Sequence, residues 1–376
     1  MRRPRVKPEH APHRLDATTI RIGGTVYGLA AEISDPYGWA WSALTLMDGT
    51  RSPAEIASSL RTRHPGLDEA TALGIVDGLL ESGYVEDAQE PPTPYLTERE
   101  RDRYARNRDF FRCADLRPGA HSWDFQLRLK RARVTVIGLG GSGTHAAWSL
   151  AAAGVGRLHC VDPDTVELSN LNRQILYTEA DIGLPKAEAA LRRLTAANSD
   201  ITITTDRTRI STPADLRSLL HNPACDVLVL CADEPRGPDG LRAWTDRLCM
   251  AAGIPWVGGG YSGPLVSVCV IGPGGACLEC LQAGMRAQQP VPVPVELGWP
   301  GVLPTTAALS GQLIAHAVIS LITGLPWGRP GYVRGLNAVA PDHHVHTRHP
   351  PRPGCPNCDP DGRSREVDRV FGGNGG

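Results

Sequence analysis

The sequence predicts an α/β protein, with a mostly parallel sheet carrying helices on both faces, preceded by a small α+β domain. Three observations predict it. Residues 134–137 form an apolar run that reads as a buried strand, and Gly138, Gly140 and Gly143 follow it at G-x-G-x-x-G spacing. The stretch THAAWSLAAAG reads as the next helix, and a second strand, 158–161, ends on Asp162. Beyond it, helical patterns alternate with β-prone runs, as parallel βαβ units require. Strand, glycine turn, helix, strand and acid in this order make a Rossmann-like nucleotide site. Glycines let the backbone approach phosphates, the helix N-terminus favours anions, and the acid takes ribose hydroxyls.

The chain has 376 residues, enough for two domains. Its formal net charge of −1 gives no electrostatic case for nucleic acid or an anionic membrane surface. No uninterrupted apolar run reaches the roughly 18 residues of a membrane span. The start, MRRPRVKPEHAPHRLD, is basic but has no apolar h-region, so 1–16 is expected to be a flexible arm and not a secretory signal. Several of the ten cysteines lie in apolar runs, where they read as buried, inert thiols of a reduced, cytoplasmic protein.

From the N-terminus, residues 17–33 place a Gly-Gly turn between β-prone stretches, which predicts a hairpin. A short helix follows at 37–48. The next has Ser52 as its N-cap and Pro53 in its first position. A third, closed by Gly83, carries an apolar stripe of Leu73, Ile75, Val76, Leu79 and Leu80. Residues 84–86 form a closing strand. This pattern predicts a winged-helix domain over 17–87, and the Pro-rich segment 88–96 reads as a linker. Acids are interspersed among Arg51, Arg61 and Arg63, which tells against DNA as its ligand.

The core then extends over 97–360. After Asp162 come Asp164, the run Ser169-Asn170-Leu171-Asn172-Arg173-Gln174, and Lys186. Hydride transfer needs no Arg and Lys close beyond a ribose acid, whereas ATP does, since Arg forks onto phosphate oxygens and Lys supplies a point charge. The ordinary alternative for both is a solvated helix surface. A strand at 226–233 is expected to end on Asp233 at the same sheet edge as Gly138 and Asp162, where ligands of open α/β sheets collect. Cys277 and Cys280 form one C-x-x-C pair and Cys355 and Cys358 another, a spacing that reads as tetrahedral, structural Zn²⁺. Two unligated pairs or a redox disulfide are the alternatives. Residues 283–304 are Pro-rich and expected to be irregular; 305–324 read as a helix whose small-residue face suits a dimer or a core; 361–376 are expected to be disordered.

These motifs, GxGGxG, D-x-D, S-N-L-x-R-Q and G-x-P-K, resemble the adenylation core of the ThiF/MoeB superfamily, relatives of ubiquitin-activating enzymes. The resemblance implies ATP-dependent adenylation and a homodimer. Gly138, Gly140, Gly141, Gly143, Asp162, Asp164 and Asn170 would bind the nucleotide. Arg173 and Lys186 would neutralise phosphate charge, and Asp233 would hold Mg²⁺. Arg106, in the segment Arg103-Tyr104-Ala105-Arg106, would reach the ATP of the other subunit, or else be an ordinary solvated helix charge. The usual Asn after the magnesium Asp is Glu234 here. No cysteine lies between 281 and 354, so thioester transfer is not expected. The turn-helix at 48–56, D-G-T-x-S-x-x-E-I, resembles PqqD-like leader-recognition domains, which capture a peptide as an added strand. Such a domain joined to such a core resembles the adenylating enzymes of microcin biosynthesis. The expected substrate is therefore a carboxylate of a ribosomally made precursor peptide. A sulfur-carrier activator and a non-catalytic leader-delivery scaffold are the alternatives.

Overall fold

The computed structural model describes residues 1–221, 224–288, 301–325, 329–340 and 342–359. The chain divides into two compact units, Met1–Leu127 and Arg128–Gly376.

The first unit contains β1 (Pro4–Val6), β2 (His13–Arg14), β3 (Thr19–Ile22), β4 (Ala31–Ser34), α1 (Trp39–Leu46), α2 (Pro53–Arg63), α3 (Glu69–Glu81), β5 (Val85–Asp87), α4 (Glu98–Arg103) and α5 (Ala105–Ala114). Strands β2, β3 and β4 form an antiparallel sheet, with the expected hairpin between β3 and β4. Ser52 caps α2 through a full capping box with Glu55, and Pro53 opens the helix. Ile20, Ile22, Leu46, Ile56, Leu60 and Val76 are buried in this unit's own core.

Three expectations are corrected here. The flexible arm is instead built structure: β1 pairs antiparallel with β5, Pro4 opposite Asp87. Lys7 explains why, because its buried ammonium donates to the carbonyls of Arg112 and Asp115 at 3.2 and 2.6 Å. The α3 stripe is centred on Ala72, Val76 and Leu79, leaving Leu73 exposed. The unit also runs past the proline-rich segment to Leu127, so α4 and α5 belong to it and not to the core.

A helix, α6 (Asp124–Arg131), leads into the second unit: β6 (Arg133–Ile137), α7 (Gly141–Ala153), β7 (Arg157–Val161), α8 (Lys186–Ala197), β8 (Thr202–Asp206), α9 (Pro213–His221), β9 (Val227–Leu230), α10 (Leu241–Ala252), β10 (Trp256–Ser262), β11 (Leu265–Ile271), α11 (Leu278–Ala287), α12 (Pro304–Thr323), β12 (Tyr332–Asn337) and β13 (His344–Arg348). One sheet runs in the order β13-β12-β11-β10-β9-β6-β7-β8. The strands from β10 to β8 are parallel, and β11, β12 and β13 extend the sheet antiparallel. The chain leaves β6 to build β7 and β8 on one side, then returns to place β9 on the other, so a switch point falls between β6 and β9.

Helix α12 packs on α7. The Ser142 and Ser310 hydroxyls bond at 2.8 Å, and a Cβ on Gly311 would lie 2.4 Å from the Cβ of His145. Its small-residue face is therefore a core face. Among the described residues α12 is long and apolar enough to cross a membrane, which corrects the reading from apolar runs; half of that stretch is buried in the fold. Helix α11 continues to Ala287 into the segment expected to be irregular, while 289–300 and the tail 361–376 lie outside the described residues.

Candidate nucleotide and metal sites

The carboxyl ends of β6, β7 and β9 and the loop after β8 enclose a cleft of about 430 Å³. Gly138, Gly140, Asp162, Asp164, Lys186 and Asp233 all line it. Asn170 and Arg173 line an adjoining polar cleft that shares Asp164 and Lys186. Ile137, Val161, Ile210 and Leu241 supply an apolar wall suited to a purine, and the adjoining cleft supplies the cations.

The glycines differ in what they do. Gly138 has φ +90°, and a Cβ there would lie 2.7 Å from the backbone at Cys231 and Ala232. A Cβ on Gly143 would lie 1.8 Å from the Gly138 carbonyl oxygen, so Gly143 sets the closeness of α7 to β6 and does not line the cleft. Gly141 is likewise confined by the Tyr261 hydroxyl, 2.7 Å from where its Cβ would lie.

The Leu139 N–H donates to Asp162 Oδ2 at 2.6 Å, and the Asp164 N–H donates to Asp162 Oδ1 at 2.9 Å. Lys186 Nζ lies 3.4 Å from Asp164 Oδ2, with its side chain only 9% exposed. Arg173 donates to the Ser169 carbonyl and to Asn172 Oδ1, both at 2.8 Å. The Asn170 side-chain oxygen accepts from the Glu167 N–H at 3.1 Å, closing the turn that carries Arg173.

Strand β9 stops at Leu230, so Asp233 stands in the loop beyond and not at the strand end; its carboxylate meets Arg242 at 3.0 Å. Cys231 lines the cleft, but burial pushes its thiol up to about 12, which keeps it protonated and non-nucleophilic. Arg106, on α5 in the first unit, exposes 96% of its side chain and, among the described residues, makes a 3.6 Å contact with Asp109. Sequence reasoning missed Thr208, Arg209 and Ser211, which also line the cleft, as does Glu234, noted only as a departure from the usual Asn. The rule that loops after parallel strands converge on one edge could have found the first three, since they follow β8.

The four predicted sulfur ligands come together from two segments of the second unit, Cys277 and Cys355 being 78 residues apart. Their Sγ atoms all lie within 4.8 Å of one another. Cys277 approaches Cys355 at 3.8 Å and Cys280 approaches Cys358 at 3.7 Å, with no disulfide among them. A tetrahedron with Zn–S arms of about 2.3 Å has edges of about 3.8 Å, so the sulfur set fits zinc. The Arg352 backbone N–H donates to Cys280 Sγ at 3.3 Å, the kind of support a thiolate needs. Asp246, buried beneath the site, accepts from the Leu278 N–H at 3.1 Å and the Asn357 amide at 2.7 Å. It thereby ties both C-x-x-C segments to α10.

A Rossmann-like switch-point cleft with a glycine turn, a buried acid after its second strand and clustered cations defines an ATP-handling enzyme. Residues 113–358 match the ThiF family, and the chain belongs to that family. The chain is 33% identical to the sulfur carrier protein adenylyltransferase of Thermus thermophilus over 64% of its own length and 88% of the relative's. It is 35% identical to the molybdopterin-synthase adenylyltransferase of Escherichia coli over 55% and 79%. Among solved structures, E. coli MccB aligns with a TM-score of 0.75 at 21% identity, covering 95% of this chain and 96% of that one. MccB with ATP aligns at 0.73 and 22%, covering 94% and 99%. The microcin C7 biosynthetic enzyme MccB in complex with N-formylated MccA aligns at 0.72 and 21%, with the same coverage. These likenesses show the fold across both units. The protein is a ThiF-type, ATP-using adenylyltransferase.

Proposed function

We propose that the protein adenylates a carboxylate of a ribosomally synthesised precursor peptide during peptide natural-product biosynthesis, with the first unit recognising the peptide's leader. One observation carries this reading. The sulfur carrier protein and molybdopterin-synthase adenylyltransferases match 64% and 55% of the chain, whereas the likeness to MccB covers 94–95% and so includes the first unit. A carrier-protein activator leaves that unit without a task.

In the proposed reaction an ionised peptide carboxylate attacks the α-phosphorus of ATP. An acyl–phosphate bond forms, the bond to the β-phosphate breaks, and pyrophosphate leaves. No general base is needed. Gly138, Gly140 and Gly141 cradle the phosphates and Gly143 fixes the turn. Asp162 accepts from the ribose, with Asp164 and Asn170 beside it. Arg173, Lys186 and, from the partner of a homodimer, Arg106 neutralise developing charge. Asp233 is a solvent-accessible carboxylate at the cleft with Arg242 on one oxygen; the other oxygen is the hard donor that Mg²⁺ requires, and the ion would screen the phosphate chain. Cys277, Cys280, Cys355 and Cys358 hold structural Zn²⁺. The protein acts in the cytoplasm, without membrane or nucleic acid.

The test is substrate-dependent ATP–pyrophosphate exchange. Small peptides encoded beside the gene should support it, and a sulfur carrier ending in Gly-Gly should not. Exchange with the carrier alone would transfer the assignment to sulfur activation.

A further inference from the structure

Sequence motifs supply two cations to the phosphate side of the cleft, Arg173 and Lys186, and the structure adds a third. Arg209 lines both the nucleotide cleft and the adjoining polar cleft, standing where the two meet. Its backbone is held on either side. Thr208 donates its N–H and hydroxyl to the Asp206 carboxylate at 2.8 and 2.6 Å, and Ile210 is buried. Further on, the N–H groups of Ser211 and Thr212 bond the Asp215 carboxylate at 3.0 and 2.9 Å, fixing the loop to the start of α9.

The Arg209 guanidinium lies 3.2 Å from Asp164 Oδ1, while the other oxygen of Asp164 is 3.4 Å from Lys186 Nζ. One carboxylate is thus shared by two cations, and among the described residues neither cation has a second ion-pair partner in the cleft. Arg173 adds a third positive charge to the same polar cleft. Against Asp164 and Glu167, the acids of that lining, the three leave one net positive charge, and three cationic donors converging on one polar cleft suit a chain of phosphate oxygens.

We propose that Arg209 binds the phosphate chain of the nucleotide together with Lys186 and Arg173, and that Asp164 holds Arg209 and Lys186 in position before the nucleotide arrives. This rests on the ATP reading of the cleft and deepens it. A guanidinium on a braced loop forks onto phosphate oxygens with little loss of conformational freedom, which Lys cannot reproduce. Arg209 is 65% exposed on its side chain, so its exchange should leave the fold unchanged.

The experiment is calorimetric binding of ATP and of AMP to the full chain and to its Arg209→Gln and Arg209→Lys variants. Arg209→Gln should weaken ATP about tenfold, the size of one charge-assisted hydrogen bond, and leave AMP unchanged. Arg209→Lys should recover part of the ATP affinity, because it restores charge without the fork. The ATP-to-AMP ratio is insensitive to partial unfolding, which removes sites for both ligands equally. An unchanged ratio, whether both ligands weaken together or neither does, overturns the phosphate role. Failure of the unsubstituted protein to bind ATP would instead overturn the nucleotide reading beneath it.

Discussion

Asp162 accepts the Leu139 N–H at 2.6 Å, while the Leu139 carbonyl accepts from the buried Tyr177 hydroxyl at 3.1 Å. Both polar groups of the peptide units at the glycine turn are therefore satisfied by side chains, and the turn is set before a phosphate enters. A carboxylate has about four lone-pair sites, so Asp162 can hold two backbone N–H groups and still accept from a ribose. Asp162→Asn offers one acceptor oxygen and turns an amide N–H toward the other donor. Leaving a buried donor unpaired costs about 1–3 kcal/mol. The unpaired donor should lower the melting temperature, and a ribose hydroxyl left without its acceptor costs a similar amount, so ATP affinity should fall about five- to 150-fold in the same samples. Wild-type ATP affinity in the Asn variant would show that Asp162 serves the turn alone.

The zinc site should be measurable without activity. Elemental analysis should return one zinc per chain, and Cys355→Ser should remove it. Cys355 joins the segment after β13 to the second unit, so metal loss should also lower thermal stability. Metal-free protein that melts at the same temperature would sink the assignment.

Arg106 and Asp233 can be tested against each other. Arg106→Ala should abolish adenylation while the fold persists, since its side chain is 96% exposed and, among the described residues, pairs with Asp109 alone, at 3.6 Å. If Arg106 acts in trans, mixing this variant with Asp233→Ala protein under subunit exchange restores one competent site per heterodimer. No recovery, with exchange demonstrated, places Arg106 in cis or outside the reaction.

His10 should make stability pH-dependent. It is fully buried against the Tyr84 ring, and burial, aided by the Lys7 charge, lowers its pKa from 6.5. The unfolded chain then takes up a proton that the native one resists. His10 therefore costs nothing above about pH 6.5, and its contribution is lost as pH falls through the lowered native value. Denaturant midpoints should decline from pH 7 to pH 5, and His10→Gln should flatten that decline. An identical slope in the variant would show that other groups carry it.

The alternation of strands and helices, the glycine turn and the two C-x-x-C pairs were legible in the sequence, because each depends on local period or spacing. What was missed depends on partners distant in the chain. The arm was unreadable because Lys7 satisfies its ammonium on carbonyls of Arg112 and Asp115, a contact no local pattern reports. Arg209 was missed because it sits in no motif, although the convergence of loops after parallel strands on one sheet edge points to it. Asp233 was placed at a strand end because apolar residues continue past Leu230, where the ladder stops.

The last prediction concerns the leader. The nucleotide cleft lies wholly within the second unit, and the sheet β2-β3-β4 lies within the first. Strand β4 pairs only with β3 among the described strands, so it has an edge to which an extended peptide can add. Deleting residues 1–90 would be a poor test, since Arg112 would be kept without its ion-pair partners Glu9 and Glu86. A separate leader peptide is a cleaner probe. Holding the leader raises the effective concentration of the reactive end near ATP. Free leader in excess should therefore compete with the precursor, raising its KM while leaving kcat and the KM for ATP unchanged. A leaderless precursor should start with a high KM that free leader does not raise further. If free leader changes nothing for the full precursor, the first unit does not bind it, and activation of a carrier protein becomes the better reading.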